Sequence, residues 1–140
     1  MIDVRVQSGD FDPGRQLARL GELKKAAVAS FVGRLEADDG VRELRIDHHA
    51  ALAKAELQRI AEEAGQRWPL AGIILIHRHG PIAPGGRAFF AGAAAGDADV
   101  AGEACAWLVA QIRARAPFWR KEILADGSER WLKANERQAS

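Results

Sequence analysis

The residues best suited to chemistry lie in one decapeptide, Arg113-Ala-Arg-Ala-Pro-Phe-Trp-Arg-Lys-Glu122. Arg113, Arg120 and Lys121 stand near one carboxylate, Glu122. Guanidinium and ammonium groups held in fixed positions can grip a phosphate or a carboxylate. The rings of Phe118 and Trp119 are expected to anchor the backbone in the core and so hold Arg120 and Lys121 on a firm base. Arg113 ends a long apolar helix, where the dipole favours a cation whatever else it does. On the residues alone, an anion site and a solvated surface are evenly balanced.

Other reactive side chains carry less weight. His48, His49, His77 and His79 come in close pairs, but neighbours on a strand face opposite ways. No Asp or Glu stands at a metal-ligand spacing beside them, so no metal site is expected. His77-Arg78 closes a strand and is read as making structural hydrogen bonds. Cys105, the single cysteine, falls on the buried stripe of a helix and is read as a structural thiol. Gly85-Gly86 lacks the Lys-Ser/Thr that would make it a phosphate loop.

The elements that must position the decapeptide follow from patterning. Ile2, Val4 and Val6 alternate with polar residues as an edge strand. Asp12-Pro13 starts a short helix that stops near Gly21. Residues 26–32 read as a buried strand, and 41–47 as a half-buried strand paired back on it. A helix spans about 51–66, Ile73–Ile76 is a buried strand, and 81–86 is a turn region. Residues 87–95 form a strand carrying Phe89 and Phe90. Gly96-Asp-Ala-Asp99 caps the longest helix, about 98–115. Two short strands around Ala125-Asp-Gly-Ser128 make a C-terminal hairpin, and 135–140 are expected to fray. The fold class is α+β, with helices packed on a mostly antiparallel sheet, in one domain over residues 1–140.

Composition excludes several classes. Net charge is +1, which gives no general drive toward nucleic acid or membrane. The positive surplus is local: from Gln111 onward there are seven Arg and Lys against four Asp and Glu. The start of the chain does not read as a signal peptide, and no apolar run is long enough to span a bilayer. The expected location is the cytoplasm.

Several short motifs in order carry a resemblance. They are Phe31-Val-Gly-Arg34, Arg67-Trp-Pro-Leu70, Ile76-His-Arg-His-Gly80, Glu103-Ala104, and Arg115-Ala-Pro-Phe-Trp119 leading through Lys121-Glu122 to Arg130-Trp131. Over about residues 26–134 the chain resembles the large, catalytic subunit of molybdopterin synthase, the molybdopterin-converting factor subunit 2 family. The resemblance implies an α/β-hammerhead-like fold and a homodimer. It also implies a ubiquitin-like sulfur-carrier small subunit on each copy, giving a heterotetramer. The carrier's C-terminal Gly-Gly tail, as a thiocarboxylate, would pass sulfur to cyclic pyranopterin monophosphate. No cofactor is implied.

Carried over by position, the resemblance implies a catalytic set of Arg113, Arg120 and Lys121. It implies a substrate-binding set of Arg34, Leu35, Glu36, Asp97, Ala98, Arg113, Arg120, Lys121 and Glu122. This chain departs from the family at four places. Arg113 and Arg120 replace lysines, Asp97-Ala98 replaces a His-Arg pair, and Glu36 replaces a common arginine. Arginine keeps the charge but cannot readily act as an amine nucleophile or general base. Three readings follow: an active synthase with a rearranged basic set, a dimeric binding module for the carrier, or an enzyme for another small substrate. Lys121 discriminates the first two: facing the cavity of Arg113 and Arg120 it supports activity, and facing solvent it supports the module.

Overall fold

The structure, a computed structural model, describes residues 1–48 and 50–133. His49 and the expected frayed end lie outside the described residues. Among the described residues, eight strands and three helices follow in the order β1 (Ile2–Gln7), α1 (Pro13–Gly21), β2 (Ala27–Arg34), β3 (Val41–His48), α2 (Ala50–Arg67), β4 (Leu70–Arg78), β5 (Gly80–Ile82), β6 (Arg87–Ala95), α3 (Ala98–Arg115), β7 (Phe118–Leu124) and β8 (Glu129–Lys133). They build two four-stranded sheets, ordered β1-β4-β6-β2 and β5-β3-β7-β8. Among the described residues only the β1–β4 pair is parallel. The fold is α+β.

The first sheet is covered on both faces, which explains its unbroken apolar strands. On β4, Ile73 and Leu75 face the main core with α2 and α3, while Ile74 and Ile76 face α1. On β6, Phe89, Ala91 and Ala93 join the main core, and Phe90 and Ala94 the α1 side. The second sheet lays Leu44, Ile46 and Phe118 into the main core. At about 0.8 kcal/mol per buried CH₂, these residues hold the sheets and helices as one packed unit.

Helix signals read from sequence locate α1 and α3. Asp12 accepts from the Gly14 and Arg15 amides and Pro13 opens the first turn. The Asp97 side chain accepts from the Val100 amide at 3.1 Å and caps α3. At its other end Arg115 reaches α2, at 2.8 Å from Glu56 and 2.5 Å from Glu63. That clamp ties the end of α3, two residues beyond Arg113, to α2.

Three expectations need correction. First, β3 does not pair with β2. Leu35 exchanges backbone hydrogen bonds with Gly85 and Gly86 as it leaves β2, and the chain then crosses to the other sheet. There β3 lies between β5 and β7. Second, β2 is not a buried strand. It is the outer strand of the first sheet, and Val28 and Phe31 are each 36% exposed. Third, the turn region 81–86 begins with a strand, β5. It is an edge strand, where Pro81 costs no ladder bond that a central strand would need.

Candidate functional site

Where the end of α3 meets the start of β7, a cavity of about 190 Å³ opens against the end of β2. Its polar lining comes from Arg34, His77, Arg113 and Arg115, and its apolar lining includes Leu35, Phe89, Ile112, Phe118 and Trp119. His77, Phe89 and Phe118 of the lining belong to a ladder of stacked rings that Phe31 extends beyond it. Phe31 and Phe89 stack at 5.5 Å, Phe89 and His77 at 5.6 Å, and His77 and Phe118 at 3.5 Å between centroids. The Arg113 guanidinium lies 5.9 Å from the Phe31 ring centre, within cation–π range.

Local chemistry builds this ladder. His77 is only 3% exposed, and its Nδ1 lies 2.9 Å from the Arg78 carbonyl oxygen, which orients the ring. Gly33 leaves room for the Phe89 ring, since a Cβ there would overlap that ring's edge. Arg34 donates from Nε to the Gly85 carbonyl at 2.8 Å and ties the rim to the β5–β6 turn. The Arg115 guanidinium is committed to Glu56 and Glu63.

β7 sorts the decapeptide by alternation. Phe118, Arg120 and Glu122 point inward, and Trp119 and Lys121 point outward. Arg120 and Glu122, 1% and 0% exposed, form an ion pair at 3.1 Å in the core. Arg130 on β8 closes on the same carboxylate, Nε to Oε1 at 2.5 Å. Lys121 sits on the opposite face, 3.1 Å from Glu129 and 5.5 Å from the Trp131 ring centre. Trp119 is 47% exposed rather than a core anchor, so only Phe118 anchors the strand.

Among the expected site residues, the structure therefore gathers Arg34, Leu35 and Arg113 at the cavity. Arg120 and Glu122 lie in the core beneath the same strand, Lys121 lies on its outward face, and none of the three is in the lining. Glu36 is exposed and outside the lining. Asp97 and Ala98 stand at the opposite end of α3 from Arg113, about 22 Å away at 1.5 Å per residue. Sequence reading missed Phe31, Phe89 and His77 as one ladder. Their spacing, 58 residues from first to last, gives no local signal.

Cys105 is buried with its Sγ 3.7 Å from the Ala91 carbonyl oxygen, and burial pushes its thiol up to about 11. Among the described residues no three His, Cys, Asp or Glu side chains converge as metal ligands. No helix among them is long and apolar enough to cross a membrane.

Comparisons with known proteins agree with this architecture. A family model described as MoaE protein matches residues 6–115. The molybdopterin synthase catalytic subunit of Mesorhizobium japonicum is 42% identical over 137 residues, covering 95% of this chain and 86% of that one. The solved molybdopterin biosynthesis MoaE protein of Burkholderia ambifaria superposes with a TM-score of 0.82 at 33% identity, covering 96% of this chain and 90% of its own. A solved complex of subunits 1 and 2 of molybdopterin-converting factor from Helicobacter pylori shares the fold, at a TM-score of 0.75 and 20% identity over 96% of this chain and 91% of that one. The chain belongs to the MoaE family, whose curated relatives are molybdopterin synthase catalytic subunits.

Proposed function

We propose that this chain transfers sulfur from the thiocarboxylated Gly-Gly tail of a ubiquitin-like small subunit to cyclic pyranopterin monophosphate, forming molybdopterin. The observation that carries this reading is the cavity, with Arg34 and Arg113 beside a ladder of stacked rings. Its volume, about 190 Å³, is narrow for a drug-sized ligand but suits a tail of two residues without side chains. Two guanidinium groups supply the field that an anionic thiocarboxylate and a phosphate both need. Family membership supports the same reaction.

In this account Arg113 and Arg34 hold anions and stabilise charge, and neither serves as an amine nucleophile. Arg120 acts as a positioning residue, through its ion pair with Glu122 beneath the site. Lys121 takes no part in the chemistry, because it is outside the cavity lining and its ammonium is paired with Glu129. The outward Lys121 accords with a binding-only homologue, but the catalytic names of the relatives weigh toward an active enzyme.

The account also assigns a partner geometry. Asp97-Ala98 occupies a substrate-holding position by family resemblance, yet lies about 22 Å from Arg113 along one helix. Both statements hold together when a second copy brings its own Asp97-Ala98 to this cavity. The open β2 edge, with Val28 and Phe31 exposed, is a surface suited to a partner chain.

The test is single-turnover conversion with a thiocarboxylated small subunit and cyclic pyranopterin monophosphate. Molybdopterin formation within one turnover supports the reading. Tight binding of the small subunit without product would replace it with a binding module.

A further inference from the structure

A second concavity, of about 440 Å³, lies on the other side of the first sheet, between α1 and the outer strand β1. The sheet separates it from the aromatic cavity: Ile76 on its floor faces α1, whereas Phe89 in the first cavity faces the main core. Arg5, Gln7, Asp10, Asp12, Arg15, Gln16 and Arg19 form its polar lining. The groove exists because α1 covers the inner strands and leaves the β1 margin open.

Its charges do not cancel. Asp3 is shared by Arg5, at 3.1 Å, and Arg19, at 2.6 Å. Asp10 is held by Arg87 at 2.7 Å, with Arg78 at 3.9 Å. Asp12 is engaged by the Gly14 and Arg15 amides of α1. The lining itself carries three arginines, Arg5, Arg15 and Arg19, against two aspartates, Asp10 and Asp12, a surplus of one positive charge. Arg15 forms no ion pair among the described residues.

Gln16 supplies an independent sign. It is 6% exposed, a polar side chain buried on a helix that needs no amide there. Its carbonyl oxygen accepts from Arg19 Nη1 at 2.8 Å, and the residue lines the groove. Its carboxamide nitrogen donates to no group among the described residues. A buried amide donor, two guanidinium groups tethered through one carboxylate and a third without a carboxylate make a preorganised anion receptor.

We infer that this groove is a binding site for a small, multiply charged anion of the phosphate class, separate from the sulfur-transfer cavity. Arg15, Gln16 and the outward edges of Arg5 and Arg19 are its contacts. The anion sits toward β1, away from Asp10 and Asp12.

Isothermal titration calorimetry of the full chain with inorganic pyrophosphate tests this, at about 0.15 M sodium chloride so that loose surface attraction is screened. Saturable binding is expected, weakened about tenfold or more by Arg15→Ala and by Arg5→Ala, kept by Arg15→Lys, and unchanged by Arg113→Ala. Thermal melts of each variant confirm folding. The absence of saturable binding to the wild type overturns the proposal. So does binding that survives Arg15→Ala and Arg5→Ala together, or binding that Arg113→Ala abolishes. None of these results bears on whether the chain transfers sulfur, which is read from product at the other cavity.

Discussion

Arg120 and Glu122, two residues apart on the inner face of β7, meet at 3.1 Å with 1% and 0% of their surfaces exposed. A charge pair this deep is held by the whole sheet: Ile46 and Leu44 of β3 stand opposite its members on one side, Leu132 and Arg130 of β8 on the other. It places a fixed charge network directly behind the strand that forms the cavity's edge.

Removing one member strands the other. Glu122→Ala leaves Arg120 buried without its carboxylate, and the expected cost is about 3–5 kcal/mol. Urea denaturation of the two proteins measures it. Replacing both, as in Arg120→Met with Glu122→Leu, should recover most of that loss, because an apolar pair of similar volume escapes the desolvation penalty. A double variant no more stable than Glu122→Ala would argue against a simple ion-pair role.

Gly33 is required by the ring ladder. In Gly33→Ala the new Cβ overlaps the Phe89 ring edge, so the ring must move or β2 must bow. Overpacking of this kind costs about 1–3 kcal/mol. Because Phe89 stacks on both Phe31 and His77, turnover should fall along with stability. A crystal structure of the variant with an unmoved Phe89 would remove the premise.

Cys105 should be inert in the native state. Its thiol is buried and pushed up to about 11, so little thiolate forms near pH 8. A thiol-disulfide colour reagent should react slowly with folded protein and fully in denaturant. Rapid stoichiometric reaction of the folded chain would mean that the helix opens locally.

The α2–α3 clamp sets an acid limit on stability. Hydrogen bonding to Arg59, opposed by burial and reinforced by Arg115, holds the Glu56 carboxyl below its ordinary value. A carboxyl lowered in the folded state contributes stability above its unfolded pKa and loses it as pH falls through the folded value. Glu56→Gln should therefore be less stable than wild type near neutrality, by about 1 kcal/mol. The gap should close as pH drops below about 4. Melting curves across that range decide it, and a gap independent of pH would point to packing instead.

Much of this was legible in the chain. The Asp12-Pro13 start and the Asp97 cap are local chemistry, so α1 and α3 could be placed from sequence. The run Ile73–Ile76 announced a strand buried on both faces. Pairing was less visible. β3 alternates as any half-buried strand does, and nothing in Val41–His48 states that its neighbours are β5 and β7. The site was half legible for the same reason. Arg113 and Arg34 line one cavity, but strand alternation sends Arg120 inward and Lys121 outward, and the register of β7 was not read. The ladder of Phe31, Phe89, His77 and Phe118 joins four separate segments, and only the packed sheets bring them together.

The central claim is that two arginines at the cavity, and no lysine on β7, support sulfur transfer. Single-turnover molybdopterin formation by Arg113→Ala and by Lys121→Ala, side by side, tests it most directly. The account predicts a loss of about 10²-fold or more for Arg113→Ala, in the range for deleting a charge-stabilising donor, and a rate for Lys121→Ala within about twofold of wild type. The reverse pattern, with Lys121→Ala inactive and Arg113→Ala near normal, would contradict it and place the chemistry at Lys121, outside the lining of this cavity.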